Sequence, residues 1–185
     1  MKKPCKISIV STRKTNVTDL FLALRENAEK SDELDEDDSF FNTLLGEAYS
    51  ETDENEEGPS PSSVTSTLTA WGIFSHEKDG SRRITYEDSE ITGLEGCLTT
   101  FCLAPTGMLI LLRRGPIRTC MIFEKGARHL CDYAAQTDMP PVFLHTQELV
   151  DTLGDEGGEI RVGYSVEIRG STTERNELSI RVEPV

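Results

Sequence analysis

The stretch EIRVGYSVEIRG, residues 159–170, constrains this chain more than any other. Successive side chains of a strand point to opposite sides of a sheet. Ile160, Val162, Tyr164, Val166 and Ile168 therefore fall on one face, and Arg161, Gly163, Ser165, Glu167 and Arg169 on the other. A segment with that period cannot present a helical stripe; it is a strand with one buried side. Leu178, Ile180 and Val182 repeat the pattern against Ser179, Arg181 and Glu183, which leaves Gly170 to Asn176 as the expected hairpin.

The same reading applied upstream yields LTAWGIFSHE, RRITYEDSE, CLTTFCLA, GMLILLRR, RTCMIFE, RHLCDYA and PVFLHTQELV, with Gly and Pro in most of the separators. Those residues supply the positive or fixed φ that chain reversal needs. With KISIVST at the start, the chain carries about eight to ten strands, and a sheet that long closes to remove its edges. The predicted fold is all-β: an antiparallel up-and-down barrel of about eight to ten strands. It forms a single domain over residues 1–185, with a first strand at 5–12 and the main body at 65–185.

Residues 15–64 break the period. Leu20, Phe21, Leu24 and Ala28 suit one short amphipathic helix and Phe40, Phe41, Leu44, Leu45 and Ala48 another, separated by SDELDEDD and followed by ETDENEEGPSPSS. The net charge of −14 is concentrated here: residues 26–57 hold 14 acids and one lysine, leaving 19 acids against 18 bases elsewhere. The segment reads as an acidic insertion, partly helical or disordered, and a solvated arm is its simplest role. The rest of the chain is nearly neutral and offers no broad basic face, which argues against nucleic acid as a partner. The apolar runs Ile7–Val10 and Met108–Leu112 are too short for a signal peptide core or a membrane span. Five cysteines, with no C-x-x-C pair, suit reduced thiols, so a cytoplasmic location is expected.

With these strands in place, the run YEDSEITGLEGCLTTFCLAPTGMLILLRRGPIRTCMIFEKGARHLCDY, followed by DEGGEIRVGYSVEIRG and NELSIRV, resembles the YwiB-like family of uncharacterised bacterial proteins. The likeness rests on an ordered series: a Tyr-acid-acid-Ser-Glu strand, a Gly-Leu-Glu-Gly turn, an Arg-x-Gly turn, Met-x-Phe-Glu-x-Gly, and a Gly-Gly strand ending in a hairpin. It covers residues 65–185 and implies a calycin-like, lipocalin-like barrel of a kind that often holds a small apolar ligand. It implies no activity, and fold alone does not carry function.

The carboxylates Glu87, Asp88, Glu90 and Glu95 do not converge, because Asp88 and Glu90 share a face with Tyr86 while Glu87 points away. A solvated strand face explains them more simply than a calcium or magnesium site, which recruits six or more oxygens. His129 and Cys131 share a face, yet zinc needs three or four ligands. No metal site and no cofactor is expected. Gly-x-Ser-x-Gly, a phosphate-binding loop and His-Glu-x-x-His are all missing, so no motif gives positive ground for catalysis, and an enzyme with an unrecognised barrel-mouth site ranks third.

Tyr86, Glu90, Arg113, Arg118 and Tyr133 lie on neighbouring strands around the Arg-x-Gly turn and are the candidate ligand-binding residues. They could orient an anionic or amphipathic small molecule in an otherwise apolar cavity. The simpler alternative is a filled barrel in which Arg113 pairs with Glu90, as side chains often fill small barrels. The second reading by class is a protein-interaction module that docks a partner through residues 17–62.

Overall fold

The computed structural model describes residues 2–15, 62–89, 94–133, 141–168 and 170–185. Among them run eleven strand segments and no helix: β1 (Lys2–Thr15), β2 (Ser62–His76), β3 (Arg82–Glu87), β4 (Leu98–Leu103), β5 (Leu109–Arg114), β6 (Thr119–Phe123), β7 (Arg128–Leu130), β8 (Asp132–Tyr133), β9 (Val142–Asp151), β10 (Gly158–Ile168) and β11 (Ser171–Pro184). All belong to one sheet in the order β7-β9-β10-β11-β1-β2-β3-β4-β5-β6-β8. Every pairing is antiparallel.

The two ends of that order are adjacent in sequence. β7 pairs with β9, β8 pairs with β6, and the single residue between them, Cys131, bends the ribbon from one edge to the other. Its amide donates to the Val142 carbonyl at 2.8 Å. Ten ribbons thus close an up-and-down barrel, the calycin-like architecture expected from the sequence. Closure removes the open edges that would otherwise invite pairing with other chains.

The inward face carries Ile7, Ile9, Phe74, Ile84, Phe101, Leu103, Leu109, Leu111, Phe123, Leu144, Ile160, Val162, Ile180 and Val182, all buried. At one end of this core Arg82 donates to the Leu153 carbonyl and pairs with Asp151 at 2.6 Å. Gly72 lets β2 pass close to its neighbours: a Cβ there would lie 2.3 Å from the Thr85 carbonyl oxygen and 2.7 Å from Ile7 Cδ1.

Two boundaries differ from the sequence reading. Residues 171–176 belong to β11 rather than to a hairpin loop, and β10 and β11 pair up to Ile168 and Ser171. β1 and β2 also extend to a Thr15–Ser62 pair. In β11 and β1 the added inward positions, Glu174, Asn176, Arg13 and Thr15, are polar, and in β2 Val64 stands alone, so hydrophobic periodicity cannot detect the strand. Residues 16–61 connect β1 to β2 in sequence between the paired Thr15 and Ser62. The two expected helices, with Leu20 to Ala28 and Phe40 to Ala48, lie outside the described residues. No helix among the described residues is long and apolar enough to cross a membrane.

Candidate functional site

The polar strand ends meet inside the barrel. Cross-strand register aligns Tyr86 with Thr99, Thr99 with Arg113, and Arg113 with Thr119, in one row over β3, β4, β5 and β6. Antiparallel partners share a face, so the row points inward with Phe101 and Leu111 beneath it. The turn after Arg113 is fixed by Gly115, whose φ of 150° and 2.5 Å Cβ approach to the Gly96 carbonyl oxygen exclude a side chain. That is the physical content of the Arg-x-Gly motif.

Tyr86 is buried and stacks on Phe101, with ring centroids 6.4 Å apart. Burial pushes its phenol above the ordinary range, the Asp88 charge adds to that, and the Arg113 charge and the Thr99 hydrogen bond oppose it. Thr99, fully buried, donates its hydroxyl to the Asp88 carboxylate, itself 8% exposed. Asp88 is thus not on the solvated strand face that the sequence suggested. Arg113 Nε is buried and meets no hydrogen-bond acceptor.

A second polar row crosses β1, β11, β10 and β9 as Arg13, Asn176, Tyr164 and Thr146. Arg13 Nε lies 3.7 Å from Glu174 Oε2, and Asn176 Nδ2 donates to the same oxygen at 3.4 Å. Glu174 is 5% exposed; burial raises its carboxyl above the usual carboxylate range, with Arg13 and Asn176 opposing. The Tyr164 phenol is pushed up to about 12, chiefly by burial and then by the Glu174 charge, while Arg13 and Arg113 both pull it down. Tyr164 therefore senses both rows, and its ring rests on Phe123 at 5.0 Å. The chemistry this end offers is two cations, two neutral phenols and two buried carboxyls, Asp88 and Glu174, above an apolar floor.

Of the residues picked from sequence, Tyr86 and Arg113 come together here. Arg118 is exposed in the connection before β6 and stays apart. Tyr133 pairs with Thr119 through its backbone in β8, and Glu90 lies outside the described residues, as does any Arg113–Glu90 pair. Arg13, Glu174 and Asn176 were missed. Strand parity counted from Ile7 and Ile9 would have placed Arg13 inward, and the same count taken back from Val182, Ile180 and Leu178 would have placed Asn176 and Glu174 there, since the bulge at Thr173 lies beyond them. Glu87, Asp88 and Glu95 line a surface cleft at the β3–β4 connection with Cys97. Among the described residues no group of three or more His, Cys, Asp or Glu could hold a metal ion.

The model of the family "Domain of unknown function (DUF1934)" matches residues 49–180. The chain belongs to this family. The match takes in β2 to β10 and most of β11, including both polar rows except Arg13. The crystal structure of the ywiB protein from Bacillus subtilis is similar in fold, with a TM-score of 0.60 at 12% identity over 100% of this chain and 93% of that one. The YwiB-like resemblance read from the motifs thus holds at the level of fold. No curated protein matches the sequence.

Proposed function

We propose that this DUF1934 chain binds a small anionic or amphipathic molecule at the polar end of its barrel, with the acid group held by Arg113. One observation carries the reading: a guanidinium nitrogen buried on the inward face, with no acceptor. Leaving such a donor unpaired costs about 1 to 3 kcal/mol, and a bound carboxylate would remove that cost while matching the planar guanidinium. Tyr86 and Tyr164, whose phenols burial raises further above neutral pH, would add hydroxyl donors at the same polar end. The apolar floor of Phe101, Leu111 and Phe123 would take the tail of an amphipath.

The test uses medium-chain fatty acids and the alcohols of equal length as probes, read by thermal shift and native mass spectrometry. The acids should raise the melting temperature and the alcohols should not, and Arg113→Met should abolish the difference. Equal behaviour of acid and alcohol, or a shift that survives in Arg113→Met, would remove the reading.

A second reading is an interaction module acting through residues 17–62. The Thr15–Ser62 register supports it, because barrel pairing continues up to both edges of the segment, so the β1–β2 pairing draws on no residue within it. Capture of a partner that is lost both in high salt and on deletion of residues 17–62 would establish it.

A further inference from the structure

A second site, separate from the barrel interior, lies on the outer face. The outward register runs Lys14 to Arg175, Arg175 to Ser165, Ser165 to His145, and His145 to Arg128. Four basic side chains and one serine thus stand in line across β1, β11, β10, β9 and β7. Like charges directly opposite each other in an antiparallel pair are destabilising, and Lys14 and Arg175 are such a pair. Among the described residues neither has an ion-pair partner.

The face is concave here. Gln147 is the extra residue of a bulge between β9 and β10, and Thr173 the extra residue of another between β10 and β11. Bulges bend and twist the strands that hold them, and between these two opens a groove of about 500 Å³, a volume within the usual range for small-molecule sites. Lys14, Arg175, His145, Ser165 and Gln147 line it, with Gly163 in the same lining. Ser165 is 3% exposed, and its hydroxyl accepts from Gln147 Nε2 at 2.8 Å, so its own proton is left to donate.

Two carboxylates also reach the groove. Glu167 is engaged by Arg128 at 2.6 Å and lies 4.0 Å from His145. Glu177 lies beside Gly163 and Thr12, one outward row away from Lys14 and Arg175. The uncompensated charge of the basic row is therefore at Lys14 and Arg175, and Glu177 makes the groove polarised rather than uniformly positive.

We propose that this groove binds a small molecule through an oxyanion, phosphate or carboxylate, seated on Lys14 and Arg175 with the Ser165 hydroxyl as a third donor. An arginine fork beside a lysine point charge suits either oxyanion. The row from Lys14 to His145 spans three strand steps, about 14 Å, which gives room for a second acidic group near His145. The like-charge pair is then the apo state of a site whose ligand supplies the missing negative charge.

The experiment is calorimetric titration of the full chain with pyrophosphate and, separately, citrate, at constant ionic strength. Saturable one-to-one binding of at least one is expected, and which of them binds tells phosphate from carboxylate recognition. Lys14→Gln and Arg175→Gln should each weaken it, and the double variant should weaken it about tenfold or more, equivalent to about 1.4 kcal/mol. Arg113→Met, inside the barrel, should leave this binding unchanged, which separates the outer groove from the interior site. No saturable heat with either probe at millimolar concentration, or equal affinity in the double variant, would overturn the proposal. The single variants are both surface changes, so loss of folding in one leaves the other to decide.

Discussion

At Thr99 a fully buried hydroxyl donates to Asp88, and this contact isolates what the interior polar row costs. Thr99→Val keeps the shape and removes the donor, so it strands a buried carboxylate; a loss of about 1.5 to 3 kcal/mol follows, measurable by urea denaturation at neutral pH. Glu174 behaves in the opposite sense. Its folded carboxyl is raised, first by burial, so the folded state holds the proton more tightly than the unfolded chain does. Its favourable contribution is complete below the unfolded glutamate range near pH 4.3 and is lost as pH rises through the folded value. Glu174→Gln should therefore match the wild type in acid and gain on it toward pH 7, by about 1.4 kcal/mol for each pH unit by which ionisation is delayed. Melting temperatures of the two proteins that run parallel from acid to neutral pH would contradict this. Which residues of the row could be seen beforehand is a matter of parity: Tyr86 and Arg113 sit on strands whose other inward residues are apolar. Glu174 has the parity of Leu178, Ile180 and Val182, but it lies among STTERN, where no apolar residue marks the inward face.

At the scale of strands, the apolar halves were legible and the polar halves were not. EIRVGYSVEIRG declared its buried face because Ile and Val recur every second residue, and Ile160, Val162, Val166 and Ile168 are buried as that period requires. STRKT in β1 and STTERN in β11 are strands only because their neighbours pair with them, a tertiary fact that local sequence does not hold. Gly72 shows the reverse, a local residue choice imposed by packing. Gly72→Ala places a methyl against the Thr85 carbonyl and Ile7, and overpacking of this kind should cost about 1 to 3 kcal/mol, seen as a lower urea midpoint. The closing seam carries a separate expectation. β7 holds three register pairs to β9 and β8 two to β6, against eleven between β1 and β11. Amides of residues 128–133 should exchange with solvent before those of β1 and β11, since sparse pairing opens at lower free energy; equal protection would mean that the seam is held by more than these pairs.

For the whole molecule, the barrel and the acidic segment are joined by one register pair, Thr15 with Ser62. A hairpin needs only two residues to turn, yet residues 16–61 stand between those partners, and they hold nearly all of the net negative charge. The barrel's pairing begins on either side of the segment, so the fold should not depend on it. Replacing residues 16–61 by Asn-Gly should leave the far-ultraviolet dichroism of the β-barrel intact. For a flexible loop, closure entropy falls as the loop shortens, and this replacement should stabilise the barrel by at most about 2 to 3 kcal/mol. The same variant addresses both proposed sites, because it keeps Arg113 in the interior and Lys14 and Arg175 on the outer face. Retained fatty-acid and oxyanion binding, with loss of any salt-sensitive partner, would assign ligand chemistry to the barrel and association to the segment. A shortened chain that fails to fold would instead show that residues 16–61 contribute to the barrel, and the Thr15–Ser62 hairpin would then be more than a point of attachment.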